Sequence, residues 1–534
     1  MRASSRFLAG SLALAVALTL PGCAGGGSGA DDDADAKSFS AQLTEPADLI
    51  PGNTNESEGG TVTDLLFAGL TGYDDEKGGS VNLVADSVES SDKKNWRITL
   101  KQGWTFHNGE QVTAQSFVGA WNATMANGWN NSYFFSDLLK VKGAADVHPR
   151  SKKTEMTGLD AVDDDTIEIH LDSPNANLPL IIGYTAFFPM PESVLRERDW
   201  AKYKENPIGN GPYRMAEAWR HNQYIKLAKN LDFKGRRPGR ADTITFKIYS
   251  NPATAYNDVI AGNLDITEVP PERRFSAPQD FGDRYLRSPS STFVYLGFPL
   301  WLDEYQDVRV RRAISMSIDR EQIAAALYND TITPAKGLVT PLIRFGKRDD
   351  PCGEACTFQP RKAKRLFDEA GGLGDAPVTL WYNTGAGNDD WVQAVANQLS
   401  RTLGVTVSLK GQTWAAYTVT TDERKVTGPF RRGWLMDYPG PENYLGPSFA
   451  TDGSSNGAGY SNEKVDELLT KGNAATSPGA GIAFYHQAED RVLDDLPVAP
   501  LWFGQNTDVH SERVSKLSYG ALGRLKYDQI EVTG

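Results

Sequence analysis

Alternating apolar and polar positions predict two β-strands. In Trp96-Arg97-Ile98-Thr99-Leu100 and in residues 166–171 every second residue is apolar, which is the period of a half-buried strand. In residues 308–327 and 391–403 apolar residues recur at helical spacing among good helix formers, so both segments predict helices. Strands and helices are interspersed and no repeat of fixed period occurs, which predicts α/β or α+β lobes.

Two segments have the pattern of connections between larger units. Residues 287–299 run from an apolar strand into a strongly helical region, and residues 495–503 run from a helical region back into an apolar strand. A chain that leaves one lobe, builds a second and returns contains two such crossings. The pattern therefore predicts two lobes joined by two segments.

Composition and charge narrow the class of protein. The chain has 534 residues, 40% of them hydrophobic and 23% charged, which excludes disorder and coiled coil for most of its length and allows three to four domains. The formal net charge of −13 opposes general attraction to nucleic-acid phosphates or anionic lipids. No nucleic-acid partner is expected.

The N-terminal residues predict a signal peptide followed by a lipid anchor. Two arginines precede an uncharged apolar run, residues 7–20, which is shorter than the ~20 residues of a spanning helix, so residues 1–22 are interpreted as a signal peptide. The sequence Leu20-Pro21-Gly22-Cys23 resembles the bacterial lipobox, which implies a diacylated Cys23; an ordinary signal peptide followed by an incidental cysteine is the alternative. Residues 23–37 are rich in Gly, Ser and Asp and predict a flexible tether.

The two remaining cysteines predict a local disulfide. Cys352 and Cys356 lie four residues apart, and in an oxidising compartment such a pair closes a small loop. A zinc site would need two further ligands, and no histidine lies between His221 and His486. No metal site and no cofactor are expected.

Six segments together resemble the family 5 extracellular solute-binding proteins, the oligopeptide- and dipeptide-binding receptors of ABC importers. In the first segment a strand is followed by turns at Gly103 and Asn108-Gly109 and by a helix N-cap at Thr113. The segments follow the family's order and span nearly all of the chain after residue 37: Trp96–Phe117, Asn206–Tyr213, Ala261–Asp265, Asp307–Ile314 with Ile318–Arg320, Gly433–Tyr438 and Pro497–Trp502.

The resemblance implies an α/β, two-lobed periplasmic-binding-protein-like fold of type II with two crossover hinge segments. Lobe I is then 38–295, with an extra sub-domain at about 61–185, lobe II is 296–499, and 500–534 return to lobe I. The implied protein is a monomer anchored outside the cytoplasm by its lipid. It captures di- or oligopeptides by hinge closure and delivers them to ABC permease subunits that work with separate ATPase subunits.

The same resemblance implies the ligand-binding residues. Asp437 matches the anchor of the peptide α-ammonium, although its position before Pro439-Gly440-Pro441 also suits a turn-capping aspartate. Trp434 and Trp414 match aromatic pocket walls of lobe II, and Glu45 matches an N-terminal segment that lines the cleft. Arg431 could face a ligand carboxylate, but a solvent-exposed surface position is the preferred interpretation.

Enzyme motifs are weak or absent in the sequence. Gly453-Ser454-Ser455-Asn456-Gly457 fits the nucleophile-elbow pattern but follows no apolar strand, so a loop is expected. The sequence contains neither H-E-x-x-H nor a phosphate-binding P-loop. The chain is therefore not expected to be an enzyme, and a secreted hydrolase is the competing class. A receptor for oligosaccharide, a nickel complex or a signalling peptide is the other alternative.

Overall fold

A computed structural model describes residues 37–374, 376–385 and 387–533. The predicted signal peptide, Cys23 and all but the last residue of the predicted tether lie outside the described residues. Within the described part of the chain no helix combines the length and the apolar character needed to cross a bilayer.

Nineteen strands are assigned within the described residues. In chain order they are β1 Ser38–Leu43, β2 Thr71–Tyr73, β3 Ser80–Asn82, β4 Ala85–Glu89, β5 Asn95–Leu100, β6 Leu159–Asp163, β7 Thr166–His170, β8 Tyr213–Met215, β9 Tyr224–Lys229, β10 Thr243–Ile248, β11 Ile266–Glu268, β12 Tyr285–Gly297, β13 Ile332–Pro334, β14 Val378–Asn383, β15 Val407–Gln412, β16 Phe430–Trp434, β17 Val498–His510, β18 Val514–Ser515 and β19 Glu531–Val532.

Fifteen α-helices are assigned within the same residues. They are α1 Ser57–Leu66, α2 Ala114–Asn127, α3 Leu178–Ile181, α4 Glu192–Glu197, α5 Trp200–Glu205, α6 Pro252–Ile260, α7 Ala277–Phe281, α8 Val308–Met316, α9 Arg320–Tyr328, α10 Pro360–Glu369, α11 Asn388–Leu403, α12 Trp414–Asp422, α13 Pro441–Phe449, α14 Glu463–Asn473 and α15 Pro478–Asp495.

The elements that were predicted from periodicity are present, with one difference. Strands β5 and β7 and helix α11 are confirmed, as is the N-cap of α2, where the Thr113 side chain accepts from the backbone N–H of Ser116. The continuous helical pattern of 308–327 is wrong as a single helix, because the chain breaks after Met316 and restarts at Arg320. The Asp319 side chain accepts from the backbone N–H of Gln322, so it caps a new helix instead of continuing the old one.

One large sheet runs through both lobes. Its strand order is β15-β14-β16-β12-β17-β11-β1-β10-β9-β8, and β13 pairs with β17 off this path. The first strands belong to lobe II and the last to lobe I, while β12 and β17 pass from one to the other as an antiparallel pair. A separate sheet, β4-β5-β7-β6, lies within the range predicted for the extra sub-domain of lobe I, and its apolar side chains join the same core as those of β1 and β10.

The pairing of β12 with β17 is interrupted where the chain passes between the lobes. The register breaks between Pro289 and Phe293. From Phe293 onward the apolar side chains of β12 pack into the cores of lobe II, and those of β17 do so as far as Phe503. Gly504 lies opposite this break, where an added Cβ would come within 2.6 Å of the Ser290 hydroxyl. We propose that lobe II therefore begins near residue 293 and ends near 503, a few residues outside the predicted range of 296–499.

The Arg320 side chain forms hydrogen bonds to several segments that lie near the passage of β12 and β17 between the lobes. Its side chain is 2% exposed and donates to the carbonyl oxygens of Pro500 (2.6 Å), Ser315 (3.0 Å), Ile318 (3.2 Å) and Cys356 (3.2 Å). Burial lowers the pKa of the guanidinium to about 9, so the group remains charged at neutral pH. One cation thus joins α8, the start of α9, the Cys352–Cys356 loop and β17.

We expect Arg320→Met to destabilise the protein by at least about 3 kcal/mol, because several buried carbonyl groups lose their donor at once. Chemical denaturation followed by tryptophan fluorescence measures the loss. Arg365→Met is the matched control, since the Arg365 side chain is 64% exposed. If the two variants have equal stability, Arg320 does not organise the crossing.

Candidate functional site

The candidate site lies at one edge of the lobe II part of the sheet. Strand β14 pairs in parallel with both β15 and β16, so the carboxyl ends of the three strands share an edge. Ligands of open α/β sheets bind outside this edge, where the strand-to-helix loops converge. Here β15 leads directly to Trp414, and β16 ends at Trp434, three residues before Asp437.

Asp437 is held by hydrogen bonds from both lobes. Its Oδ2 accepts from the Tyr133 hydroxyl at 2.8 Å and from Asn443 Nδ2 at 3.2 Å. Asn443 Oδ1 in turn accepts from the Asp437 backbone N–H at 2.9 Å and from Trp434 Nε1 at 3.1 Å. The first turn of α13 therefore orients both predicted lobe II residues, and Tyr133 reaches them from the extra part of lobe I.

The electrostatic surroundings of Asp437 favour a cationic ligand. Burial raises the pKa of its carboxyl to about 6, against the opposing effect of the hydrogen bonds from Tyr133 and Asn443 and of the Arg524 charge. Within the described residues no basic side chain forms an ion pair with Asp437. A ligand ammonium would supply that missing charge.

Two adjoining cavities lie near Asp437: its neighbour Met436 lines the larger one, whereas Asp437, Trp434 and Trp414 themselves line neither. The larger, about 470 Å³, is the interlobe cleft, with lobe I residues such as Ser57 and Glu268 on one wall and Tyr328 and Met436 of lobe II on the other. The smaller, about 200 Å³, lies within lobe I and has aromatic walls that include Phe67, Tyr73, Trp104, Tyr184, Phe188 and Phe233. Both are lined by Thr61, Leu522, Arg524, Leu525 and Tyr527, so they form two chambers of one cleft.

The lobes also touch away from Asp437. Asn177 Nδ2 donates to the Tyr485 hydroxyl at 2.7 Å, and the backbone N–H of Ala176 donates to the carbonyl of Asn473 at 2.7 Å. Tyr438 belongs to lobe II by sequence, yet its fully buried ring packs in the lobe I core. The structure therefore shows the two lobes in contact across the cleft.

The other predicted site residues occupy three different environments. Trp414 is 58% exposed at the sheet edge described above, so its ring is accessible to a ligand. Glu45 is not brought to Asp437, because its carboxylate accepts from His221 Nδ1 at 2.7 Å and from the backbone N–H of Asn222 at 2.9 Å. We therefore assign Glu45 no contact with ligand.

The surface interpretation of Arg431 is wrong. The side chain is half-buried between aromatic residues, and its Nε is buried without a hydrogen-bond acceptor among the described residues. Burial lowers the pKa of the guanidinium, while the neighbouring tyrosines 417, 295 and 328 oppose the shift. Tyr328 lines the larger chamber, so Arg431 lies just behind the cleft wall.

Sequence reasoning missed three members of the site. Tyr133 lies 304 residues before Asp437 and carries no motif that links the two. Asn443 and Glu442 stand in the first turn of a helix after a Pro-Gly-Pro turn, a position that could have marked them as groups facing the cleft edge. Glu442 is 4% exposed and accepts from the Tyr438 hydroxyl, and burial raises the pKa of its carboxyl to about 7.

The cysteine pair and the nucleophile-elbow pattern that the sequence analysis considered do not belong to this site. Cys352 and Cys356 are joined as a disulfide with a Cα–Cα distance of 5.7 Å in lobe II. Residues 453–457 form a turn after α13, where the backbone N–H of Ser455 donates to the Pro447 carbonyl, and no strand leads into it. Over the described ranges, no three His, Cys, Asp or Glu side chains cluster as a metal site would require.

Comparisons with known proteins agree with this architecture. Residues 80–456 match the model of bacterial extracellular solute-binding proteins, family 5. The chain is 25% identical to the oligopeptide-binding protein OppA of Bacillus subtilis over 538 residues, 97% of each chain, and 29% identical to the periplasmic murein peptide-binding protein MppA of Escherichia coli over 86% of each. A solved structure of MppA in its unliganded open form superposes with a TM-score of 0.79 at 24% identity, covering 93% of this chain and 98% of that one. The chain belongs to the family 5 bacterial extracellular solute-binding proteins.

Proposed function

We propose that this chain is a lipid-anchored receptor that captures peptides in its interlobe cleft and delivers them to an ABC permease. The observation that carries the proposal is the Asp437 carboxylate, which is desolvated, is oriented by both lobes and forms no ion pair among residues 37–374, 376–385 and 387–533. All peptides with a free N-terminus share an α-ammonium, so one such carboxylate serves ligands of many sequences. The names of the relatives, which bind oligopeptides and murein peptides, support the same cargo.

The rest of the cleft suits an extended peptide of varied sequence. Trp434 and Trp414 lie at the edge where the ligand would leave Asp437, and they offer broad apolar surfaces without demanding one side chain. We assign the ligand carboxylate to the guanidinium of Arg431, whose buried Nε has no hydrogen-bond acceptor in the described part of the chain. Two chambers of about 470 and 200 Å³ leave room for side chains of different size.

Ligand binding and lobe closure are coupled in this proposal. The Tyr133 hydroxyl and Asp437 come from opposite lobes and are 2.8 Å apart, so the ammonium site is complete only when the lobes are together. A ligand that needs both walls shifts the population toward the closed state. Bending of the β12–β17 pair at its interrupted register supplies the hinge.

Asp437→Ala should weaken binding of a free-amine peptide at least about 100-fold, because loss of one member of a buried charge pair costs roughly 3–5 kcal/mol. Calorimetry with tri- to penta-alanine, each free or N-acetylated, measures the effect. The wild type should prefer the free peptides, and Asp437→Ala should discriminate less.

Asp452→Ala is the matched control for this experiment. It removes the same charge from an exposed side chain and should bind as the wild type does. Equal affinity of the Asp437→Ala protein would overturn the assigned anchor. Native mass spectrometry of the freshly purified protein would reveal a non-peptide cargo by its mass, and breakdown of the peptides would indicate a hydrolase.

Peptide affinity should be greatest between about pH 6 and pH 8. Because burial raises the pKa of Asp437 to about 6, affinity falls as the pH drops below that value and the carboxylate is protonated. Above about pH 8 the peptide's own ammonium deprotonates. The hydrogen bond from Tyr133 lowers the pKa of Asp437, and Tyr133→Phe removes it. In this variant the loss of peptide affinity at low pH should therefore begin at a higher pH than in the wild type. Calorimetry across this range on both proteins measures the shift, and coincident acid limbs would contradict it.

Membrane attachment should depend on Cys23. Two acyl chains on one cysteine hold a protein firmly, whereas a single chain holds it marginally. Cys23→Ala should appear in the medium or as an unprocessed precursor when cell fractions are probed by immunoblot. Ser28→Ala, in the same predicted tether, should remain with the membrane. Normal membrane partition of the Cys23→Ala protein would rule out the anchor.

A further inference from the structure

A second pair of carboxylates faces the larger chamber, in positions that are unfavourable without a ligand. Glu268 ends β11 and Asp508 lies in β17, and the two are directly opposite in the antiparallel register of these strands. Both line the chamber. Like charges at directly opposite positions destabilise a sheet, so the pair is not explained by the stability of the fold.

No basic side chain in the described part of the chain is paired with either of these carboxylates. Neither carboxylate forms an ion pair within the described residues. Of the two basic side chains in the chamber wall, Arg524 is paired with Asp64 at 2.9 Å and Arg274 lies over the Tyr328 ring at 4.8 Å. The negative charge that Glu268 and Asp508 carry when ionised is therefore not paired with a cation among the described residues.

The side chains are placed to contact a ligand. Asp508 is 6% exposed; one of its oxygens accepts from the Tyr519 hydroxyl, and the other has no hydrogen-bond partner among the described residues. Glu268 has no side-chain hydrogen bond there, and the residue is exposed and lines the chamber. Farther along the same wall the Ser291 hydroxyl, in a residue only 4% exposed, also lacks a partner within the described chain. The Glu268 carboxylate, one oxygen of Asp508 and the Ser291 hydroxyl thus line the chamber and are free to form hydrogen bonds with a ligand.

Desolvation and neighbouring negative charge raise the pKa of both carboxyl groups. Burial raises the pKa of Asp508 to about 7, and the charge of Glu268 adds to the shift against the hydrogen bond from Tyr519. The pKa of Glu268 is raised as well, because the walls of the chamber partly desolvate its carboxyl group and the neighbouring charge of Glu58 adds to the shift. A cation placed between the two would favour the ionised form of both.

We propose that the Glu268–Asp508 pair is a specificity site that binds a cationic side chain, lysine or arginine, of the captured peptide. This inference rests on the proposed peptide-binding function, in which Asp437 takes the α-ammonium. Because that ammonium is already accommodated, the second acidic site selects among peptides by side chain. The receptor is then tuned to basic peptides, while the aromatic chamber within lobe I accepts an apolar side chain.

Competition calorimetry with matched peptides tests the inference. The probes are tetra-alanine and its variants with lysine, arginine, norleucine or glutamate at the second or third position. Norleucine matches lysine in length and lacks only its charge. We expect the lysine and arginine peptides to bind at least about tenfold more tightly than the norleucine peptide at one of the two positions.

Two variants assign the preference to the pair. Glu268→Gln should lower the lysine-to-norleucine affinity ratio at least about threefold, and adding Asp508→Asn should abolish it. The amide oxygen introduced by Asp508→Asn can still accept a hydrogen bond from the Tyr519 hydroxyl. Glu463→Gln, an exposed position without an ion pair among the described residues, should keep the wild-type ratio. The melting temperature of Glu268→Gln should not fall, because the substitution removes a repelled charge and breaks no hydrogen bond.

The outcomes separate this inference from the function on which it rests. If tetra-alanine binds but lysine, arginine and norleucine peptides bind equally, the basic-peptide site is overturned and the receptor function stands. A ratio unchanged in the double variant also overturns the site. Failure of every peptide to bind the wild type overturns both proposals, and a lower melting temperature of Glu268→Gln would indicate a structural role instead.

Discussion

The architecture depends on two strands that pair with each other while crossing between lobes. β12 and β17 are each 13 residues long; both contribute side chains to the lobe II cores, and Tyr285 and Val509 at their other ends pack in a cluster with α6 and α7 of lobe I. Backbone hydrogen bonds along this pair keep the lobes in one sheet. The register break after Pro289, opposite Gly504, is the point where the pair can bend without loss of regular pairing. The larger chamber of the cleft lies beside this break, because Ser290, Ser291 and Gly504 line it.

Buried charge is used differently in the cleft and in the lobe II core. Arg320 donates to a set of carbonyl groups, and Arg311 does so on the far side of α8, so both cations are satisfied by the backbone. In the cleft region Asp437, Glu442 and Asp508 accept from tyrosine hydroxyls and have raised pKa values because burial disfavours the charged form. Unpaired buried carboxylates cost stability, which is consistent with a site completed by a ligand.

Local features of the fold followed from short stretches of sequence. Strand β5, helix α11 and the Thr113 cap depend on periodicity and on backbone groups within one turn, so neighbouring residues specify them. The break between α8 and α9 was not predicted, because the helical spacing of apolar residues continues across it. There the capping preference of Asp319 and the many bonds of Arg320 decided the outcome.

The sequence alone determined the α/β character, the family motifs and the placement of Asp437 and Trp434 in one segment, because each is a property of residues close together in the chain. Only the tertiary structure placed Tyr133 on Asp437 and Glu268 opposite Asp508. It also buried Arg431, and it engaged Glu45 with His221 away from the cleft. Such contacts depend on strand register and on how the lobes pack, which sum interactions over the whole chain and leave no local pattern at either partner.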